Sequence, residues 1–220
     1  MGIFNLGKDQ AKSYKDVLLT STKDQSYKES FYKLCYNITH CNIDSENDCK
    51  VIMLNAPKRR QGVTTVSINL AQALGKMGQR VLLLEGNLRH PILEALFRTD
   101  TDGTLNGILE KKSTLKECIL SLETLPFDMI VSKPESLNTV FGFSDLKVSL
   151  SSLDYDWILI DTPSTDEYVD ASLIADLADA VLLVVRKLDV ERQETKQLMY
   201  HYRQNNVNVI GSVLTFDNNL

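Results

Sequence analysis

The sequence predicts an α/β domain, and three observations carry that expectation. Short, almost wholly apolar runs recur along the 220 residues, at 51–54, 81–84, 158–160, 181–185 and 209–214. Segments with apolar residues at helical spacing separate them, and strands alternating with helices build a sheet covered by helices. One run, residues 157–160, ends on a single carboxylate, Asp161. That is the sheet edge where open α/β folds present groups to ligands.

The whole chain sets bounds. Its length suits one domain with a full core, residues 1–220, and 43% hydrophobic residues is the composition of a globular protein. A formal net charge of −5 without a basic face argues against nucleic acid as partner. No apolar run approaches membrane-spanning length and no signal peptide opens the chain, so a cytoplasmic location is expected. Cys35, Cys41, Cys49 and Cys118 form no C-x-x-C pair and are expected to be reduced thiols.

Taken in order, residues 1 to about 24 are polar and weakly patterned and are expected to be a flexible N-terminal segment. Phe31, Leu34, Cys35 and Ile38 form one stripe of a helix over residues 27–38, expected to pack on the sheet. A polar connector rich in Asn, Asp and Ser follows. The first strand then enters Leu54-Asn55-Ala56-Pro57-Lys58-Arg59-Arg60-Gln61-Gly62-Val63-Thr64-Thr65.

Strand, tight loop and helix is the setting of a phosphate-binding loop, G-x-x-x-x-G-K-[ST]. There glycines let backbone N–H groups close on phosphates, the lysine neutralises them and the hydroxyl ligates magnesium. Gly62 and Thr64 fit; Pro57 stands at the first glycine place and Val63 at the lysine place. In the helix that follows, Val63, Val66, Leu70, Ala73 and Met77 are expected to face the sheet, and Gly78 to end the helix. Further along, residues 127–131 predict a strand and 143–153 a helix with Phe143, Leu146, Leu150 and Leu153 on one face. A helix over 191–205 and a last strand over 207–215 complete the pattern.

These features resemble the bacterial tyrosine kinases (BY-kinases) of capsule and exopolysaccharide systems, part of the P-loop ATPases that include division-site-positioning and plasmid-partition ATPases. Asn69-Leu70-Ala71, six places beyond the loop's lysine place, and Leu88-Arg89-His90-Pro91 carry part of the likeness. Asp154-Tyr155-Asp156-Trp157-Ile158-Leu159-Ile160-Asp161-Thr162-Pro163 is similar to the family's Walker B segment, Y-D-x-h-h-h-D-T-P, almost letter for letter. The resemblance spans about residues 28–215. It implies a P-loop NTPase-like fold, a mostly parallel sheet with helices on both faces. It also implies Gly62, Thr64 and Thr65 at the phosphates, Thr64 and Asp161 at magnesium, and Thr215 at the adenine.

The departures fall on chemistry. Val63 replaces the lysine, Arg59 and Arg60 stand at a Pro-Gly pair, and Thr215 replaces an asparagine that contacts adenine. The family's paired aspartates are Glu85 and Asn87, and an amide cannot accept a proton. The E-x-x-R-x-x-R ring motif keeps Glu29 but has Tyr32 and Cys35 for its arginines, so a BY-kinase ring is not expected. No tyrosine-dense stretch follows Thr215 in this sequence, and an autophosphorylation tail is not expected.

The resemblance therefore implies a catalytically degenerate BY-kinase homologue, a pseudo-kinase needing no cofactor. It would be a cytoplasmic regulator or scaffold of capsule or exopolysaccharide polymerisation and export. Its expected partners are a membrane adaptor of the chain-length-regulator type, through which it would reach the membrane, and an active kinase paralogue. Two alternatives stay open. One is an atypical live kinase or ATPase using ATP with magnesium, in which Lys58, Arg59 or Arg60 replaces the missing lysine. The other is a partition-type ATPase, whose second lysine would be Lys58.

Overall fold

The computed structural model describes residues 18–19, 21–45, 48–134, 143–165, 174–187 and 189–215. Its strands are β1 (Lys50–Asn55), β2 (Val81–Glu85), β3 (Leu120–Ser121), β4 (Asp128–Ile130), β5 (Trp157–Asp161), β6 (Ala180–Arg186) and β7 (Val209–Thr215). The helices are α1 (Gln25–Thr39), α2 (Val63–Lys76), α3 (Leu93–Phe97), α4 (Leu105–Leu109), α5 (Leu115–Cys118), α6 (Phe143–Ser151) and α7 (Arg192–Gln204).

The sheet runs β3-β4-β2-β5-β1-β6-β7, parallel throughout except for the β3–β4 pair. Its central strands are apolar on both faces because helices cover both faces. Alternate residues enter two cores. Ile52, Leu54, Val81, Leu83, Leu159 and Leu182 meet α1, α2 and α3, while Met53, Leu82, Leu84, Ile158, Ile160 and Leu183 meet α4 to α7. The expected α/β architecture is therefore present, with β1 inside the sheet between β5 and β6.

Several sequence expectations are corrected. Met77 is not inward-facing: it is the C-cap of α2 and 46% exposed. The helix closes in a Schellman motif, in which Gly78 N–H donates to Gly75 O and Gln79 N–H to Leu74 O, with Gly78 at φ 84°. Helix α1 packs mainly on α2 rather than on the sheet, although Phe31, Cys35 and Ile38 do point inward. In the segment expected to be flexible, Leu18 and Leu19 are buried in the α1–α2 core; the two adjacent leucines supply an apolar anchor that the polar surroundings masked. Residues 1–17, with Ile3, Phe4 and Leu6, lie outside the described residues, as do Leu137 to Phe141 and Asp170 to Ser172. The antiparallel edge strand β3 is too short to leave a periodic signal.

Candidate functional site

The site forms where β1, β5 and β6 end at the same edge of the sheet. β1 delivers Asn55, which is fully buried. Its Nδ2 donates to Thr162 Oγ1 at 3.0 Å and to Pro163 O at 2.7 Å, and its Oδ1 accepts from Tyr202 Oη at 2.9 Å. One side-chain amide thus joins β1, the turn after β5 and α7.

Beyond Asn55 the loop turns on two left-handed residues, Arg60 at φ 59° and Gly62 at φ 90°. Gly62 has no Cβ to strain, whereas Arg60 bears a cost of about 1–2 kcal/mol in this conformation. The loop conformation expected of a glycine has been kept without the glycine. Tertiary ties hold it there. Gln61, 1% exposed, accepts the Arg186 N–H on Oε1 at 2.6 Å and donates through Nε2 to Asp189 Oδ2 at 2.5 Å. Thr215 Oγ1 donates to the Gln61 carbonyl at 2.9 Å.

Lys58, Arg60, Gly62, Val63, Thr64 and Thr65 line one cavity of about 370 Å³, together with Asn87 and His90. The apolar Val63, the residue expected from the sequence at the lysine place of a P-loop, lines this cavity. Lys58, a candidate to replace that lysine, is engaged elsewhere: its Nζ lies 2.7 Å from Glu194 Oε1 on α7. This contact raises the Lys58 pKa and lowers that of Glu194. Asn87 accepts the His90 N–H on Oδ1 at 3.1 Å and so shapes its own turn.

Glu85, Asp161 and Thr215 are not among the residues lining this cavity. Asp161 is buried behind the loop, where it accepts from the Thr64 hydroxyl and lies 3.3 Å from Ser67 Oγ. Burial pushes its pKa up to about 7, and these hydroxyls only partly oppose that. Glu85, placed by resemblance at a catalytic position, does not line the cavity. Its Oε1 accepts the N–H groups of Ile92 and Leu93 at 2.5 and 2.8 Å, and its Oε2 that of Ser132 at 2.9 Å. The side chain binds the entry of α3 to the segment after β4. Burial raises its pKa to about 7 as well, with the three amides pulling it down and the Asp161 charge adding to the rise. Thr215 is tied to Gln61 and lines a separate groove of about 580 Å³ between α1 and β7.

Sequence reasoning did not single out Asn55, Gln61, Ser67 or Tyr202. The available hint was polarity inside apolar periodicity, at the end of β1 and within α2; nothing in the sequence pairs Gln61 with Arg186 or Tyr202 with Asn55.

The profile of the family described as cellulose biosynthesis protein BcsQ matches residues 49–194, well over half of the chain. The chain belongs to this family, and it is related to tyrosine-protein kinases of the BY-kinase, P-loop ATPase group. It is 23% identical over 194 residues to the tyrosine-protein kinase YwqD of Bacillus subtilis (strain 168), covering 86% of this chain and 81% of that protein. Similarity to the tyrosine-protein kinase CpsD of Streptococcus pneumoniae serotype 4 is 27% over 186 residues, covering 81% and 82%. The crystal structure of the chimerical protein CapA2B2 superposes with a TM-score of 0.75 at 24% identity, over 87% of this chain and 85% of that one. The structural likeness at that identity shows the fold. Among the described residues, no helix is long and apolar enough to cross a membrane, and no group of three or more His, Cys, Asp or Glu side chains is placed to hold a metal.

Proposed function

We propose that this BY-kinase family member is catalytically degenerate and acts as a cytoplasmic regulatory or scaffold subunit in capsule or exopolysaccharide polymerisation and export. The observation that carries the reading is Val63 in the loop cavity with one substitute cation, Lys58, bound to Glu194. A phosphate cradle works by charge and close backbone approach. Here the charge is absent from its place, and Arg60 puts a side chain where the approach needs none. Glu85 supports the same reading, since all three of its carboxylate bonds serve the fold.

In this reading Thr64 and Asp161 are the pair that would hold magnesium if ATP bound, a hydroxyl and a carboxylate being ordinary oxygen ligands for that ion. The residues present do not otherwise fit the nucleotide, and no cofactor is assigned. The partners proposed are a membrane adaptor of the chain-length-regulator type and an active kinase paralogue, with no ring of the BY-kinase kind. The second reading, an atypical live kinase or ATPase, draws on Arg59, Arg60 and His90 at the cavity and on the kept Thr64–Asp161 contact. The third, a partition-type ATPase, needs a free Lys58 and loses support from the Glu194 ion pair.

Calorimetric titration with ATP and magnesium, beside radiolabelled phosphate transfer to the protein or to a tyrosine peptide, tests the proposal. Weak or absent binding and no transfer are expected. Tyrosine phosphorylation by the unmodified chain, abolished by Asp161→Ala, would establish the live-kinase reading instead. A pull-down with the adaptor's cytoplasmic tail in nucleotide-free buffer tests the scaffold role; capture only after ATP is added would count against it.

A further inference from the structure

Two of the loop's side-chain donors are held by carboxylates from one short stretch of chain. Lys58 Nζ meets Glu194 Oε1 at 2.7 Å, and Gln61 Nε2 meets Asp189 Oδ2 at 2.5 Å. Both acceptors lie in the turn after β6 and the first turn of α7, and Glu191 adds its negative field at Lys58. The same stretch is anchored to the loop through the backbone. Arg186 N–H donates to Gln61 Oε1, and Arg186 Nη1 lies 3.5 Å from Arg60 O. A shift of the loop must break these contacts or carry Arg186, Asp189 and Glu194 with it.

We propose that residues 189–194 form an intramolecular latch on the phosphate loop. Asp189 and Glu194 compete with an incoming anion for the donors of Gln61 and Lys58, so that anion uptake and release of the start of α7 are one coupled equilibrium. This rests on the reading of the loop as a degenerate site. The physical case is one of charge and geometry. Like charges a few ångströms apart oppose each other most strongly where water is displaced, and the latch sets carboxylates beside a cavity whose loop has the form of an anion cradle. Coupling of this kind is reciprocal: whatever frees the start of α7 favours the anion, and the anion favours the freed helix start. A partner docking on the first turn of α7 would thereby control the loop from outside the cavity.

The test uses the full chain and the variants Asp189→Asn, Glu194→Gln and the double variant. Both substitutions remove charge and keep an acceptor. Gln at 194 still receives the Glu191 N–H in the capping box, and Asn at 189 still accepts from Gln61, so folding is preserved and is checked by melting. Sulfate, inorganic phosphate and ATP–magnesium are titrated by calorimetry, and amide hydrogen exchange is followed at residues 58–62 and 189–194. The double variant is expected to bind sulfate about tenfold more tightly than the native chain, within the usual range of coupling between sites. Exchange in both segments should quicken, and sulfate should quicken exchange at 189–194 in the native chain. Equal sulfate affinity across the series, including no detectable binding by any member, overturns the latch, as does exchange at 189–194 that ignores the variants. Tight ATP–magnesium binding by the native chain would refute the degenerate-site reading, while the sulfate ratio between variant and native chain would still decide the latch.

Discussion

Tyr202, on α7, donates its hydroxyl hydrogen to Asn55 Oδ1 at 2.9 Å, and both side chains are closed off from solvent. This bond connects α7 to the tip of β1. Tyr202→Phe leaves a buried acceptor unpaired, at a cost of about 1–3 kcal/mol. A melting temperature lower by about 2–4 °C for each kcal/mol lost is the expected reading in a chain of this size. An unchanged melting temperature would show that Asn55 is held by Thr162 and Pro163 alone.

Glu85 is expected to be among the most sensitive positions in the fold. Glu85→Ala strands two buried backbone N–H groups, those of Leu93 and Ser132, each costing about 1–3 kcal/mol, and also the part-buried one of Ile92, a large fraction of the stability of many domains. Glu85→Gln keeps one acceptor oxygen and turns an NH₂ group toward the third amide, so its loss should be intermediate. Urea unfolding ranks the variants. A Glu85→Ala chain as stable as the native one would contradict the structural role.

Stability should depend on pH through the neighbouring carboxylates Asp161 and Glu85, which pair in register across β2 and β5. Burial holds both folded-state pKa values at about 7, so the folded chain keeps protons that the unfolded chain has lost. The stabilisation this brings is complete below the ordinary carboxylate pKa of about 4 and fades as pH rises to about 7. Asp161→Asn removes one titrating group and should flatten the profile, with a gain over the native chain above neutral pH of at most about 4 kcal/mol. Urea midpoints from about pH 5 to about pH 8 provide the check; a native stability that climbs with pH across that window would refute it.

Val63→Lys alone is not expected to restore phosphoryl transfer. The missing contact is worth about 1.5–3 kcal/mol in binding, and more in the transition state. Arg60 and Asn87 still stand in the way, one crowding the cradle and the other without a basic carboxylate. Activity is expected only from Arg60→Gly, Val63→Lys and Asn87→Asp together. Radiolabelled transfer beside ATP hydrolysis measures it, and full activity from the single substitution would show that the lysine was the only loss.

Much of the fold was legible in the residues. The runs at 51–54, 81–84, 158–160 and 181–185 are buried strands because a sheet covered on both faces needs no polar alternation. The helix of residues 63–76 was legible from its spacing and from Gly78. Met77 was misjudged because periodicity continues past the residue where a helix stops covering its sheet. At the site, Gly62, Val63, Thr64 and Thr65 were legible in position from local spacing. The behaviour of Glu85, Lys58 and Thr215 was not, since each depends on a partner distant in sequence: the Ser132 amide, Glu194 and the Gln61 carbonyl.

By itself the sequence determined which segments become strands and helices, the loop's place between β1 and α2, and an apolar residue, Val63, at the start of α2, because periodicity and residue chemistry are local. Only the tertiary structure decided that Arg60 would hold a left-handed turn, that Glu85 would face amides and not the cavity, and that Asp189 and Glu194 would engage the loop. Those outcomes depend on which groups are brought within hydrogen-bonding distance, and the distance between residues far apart in the chain, such as Gln61 and Asp189, is set by the packing of the sheet.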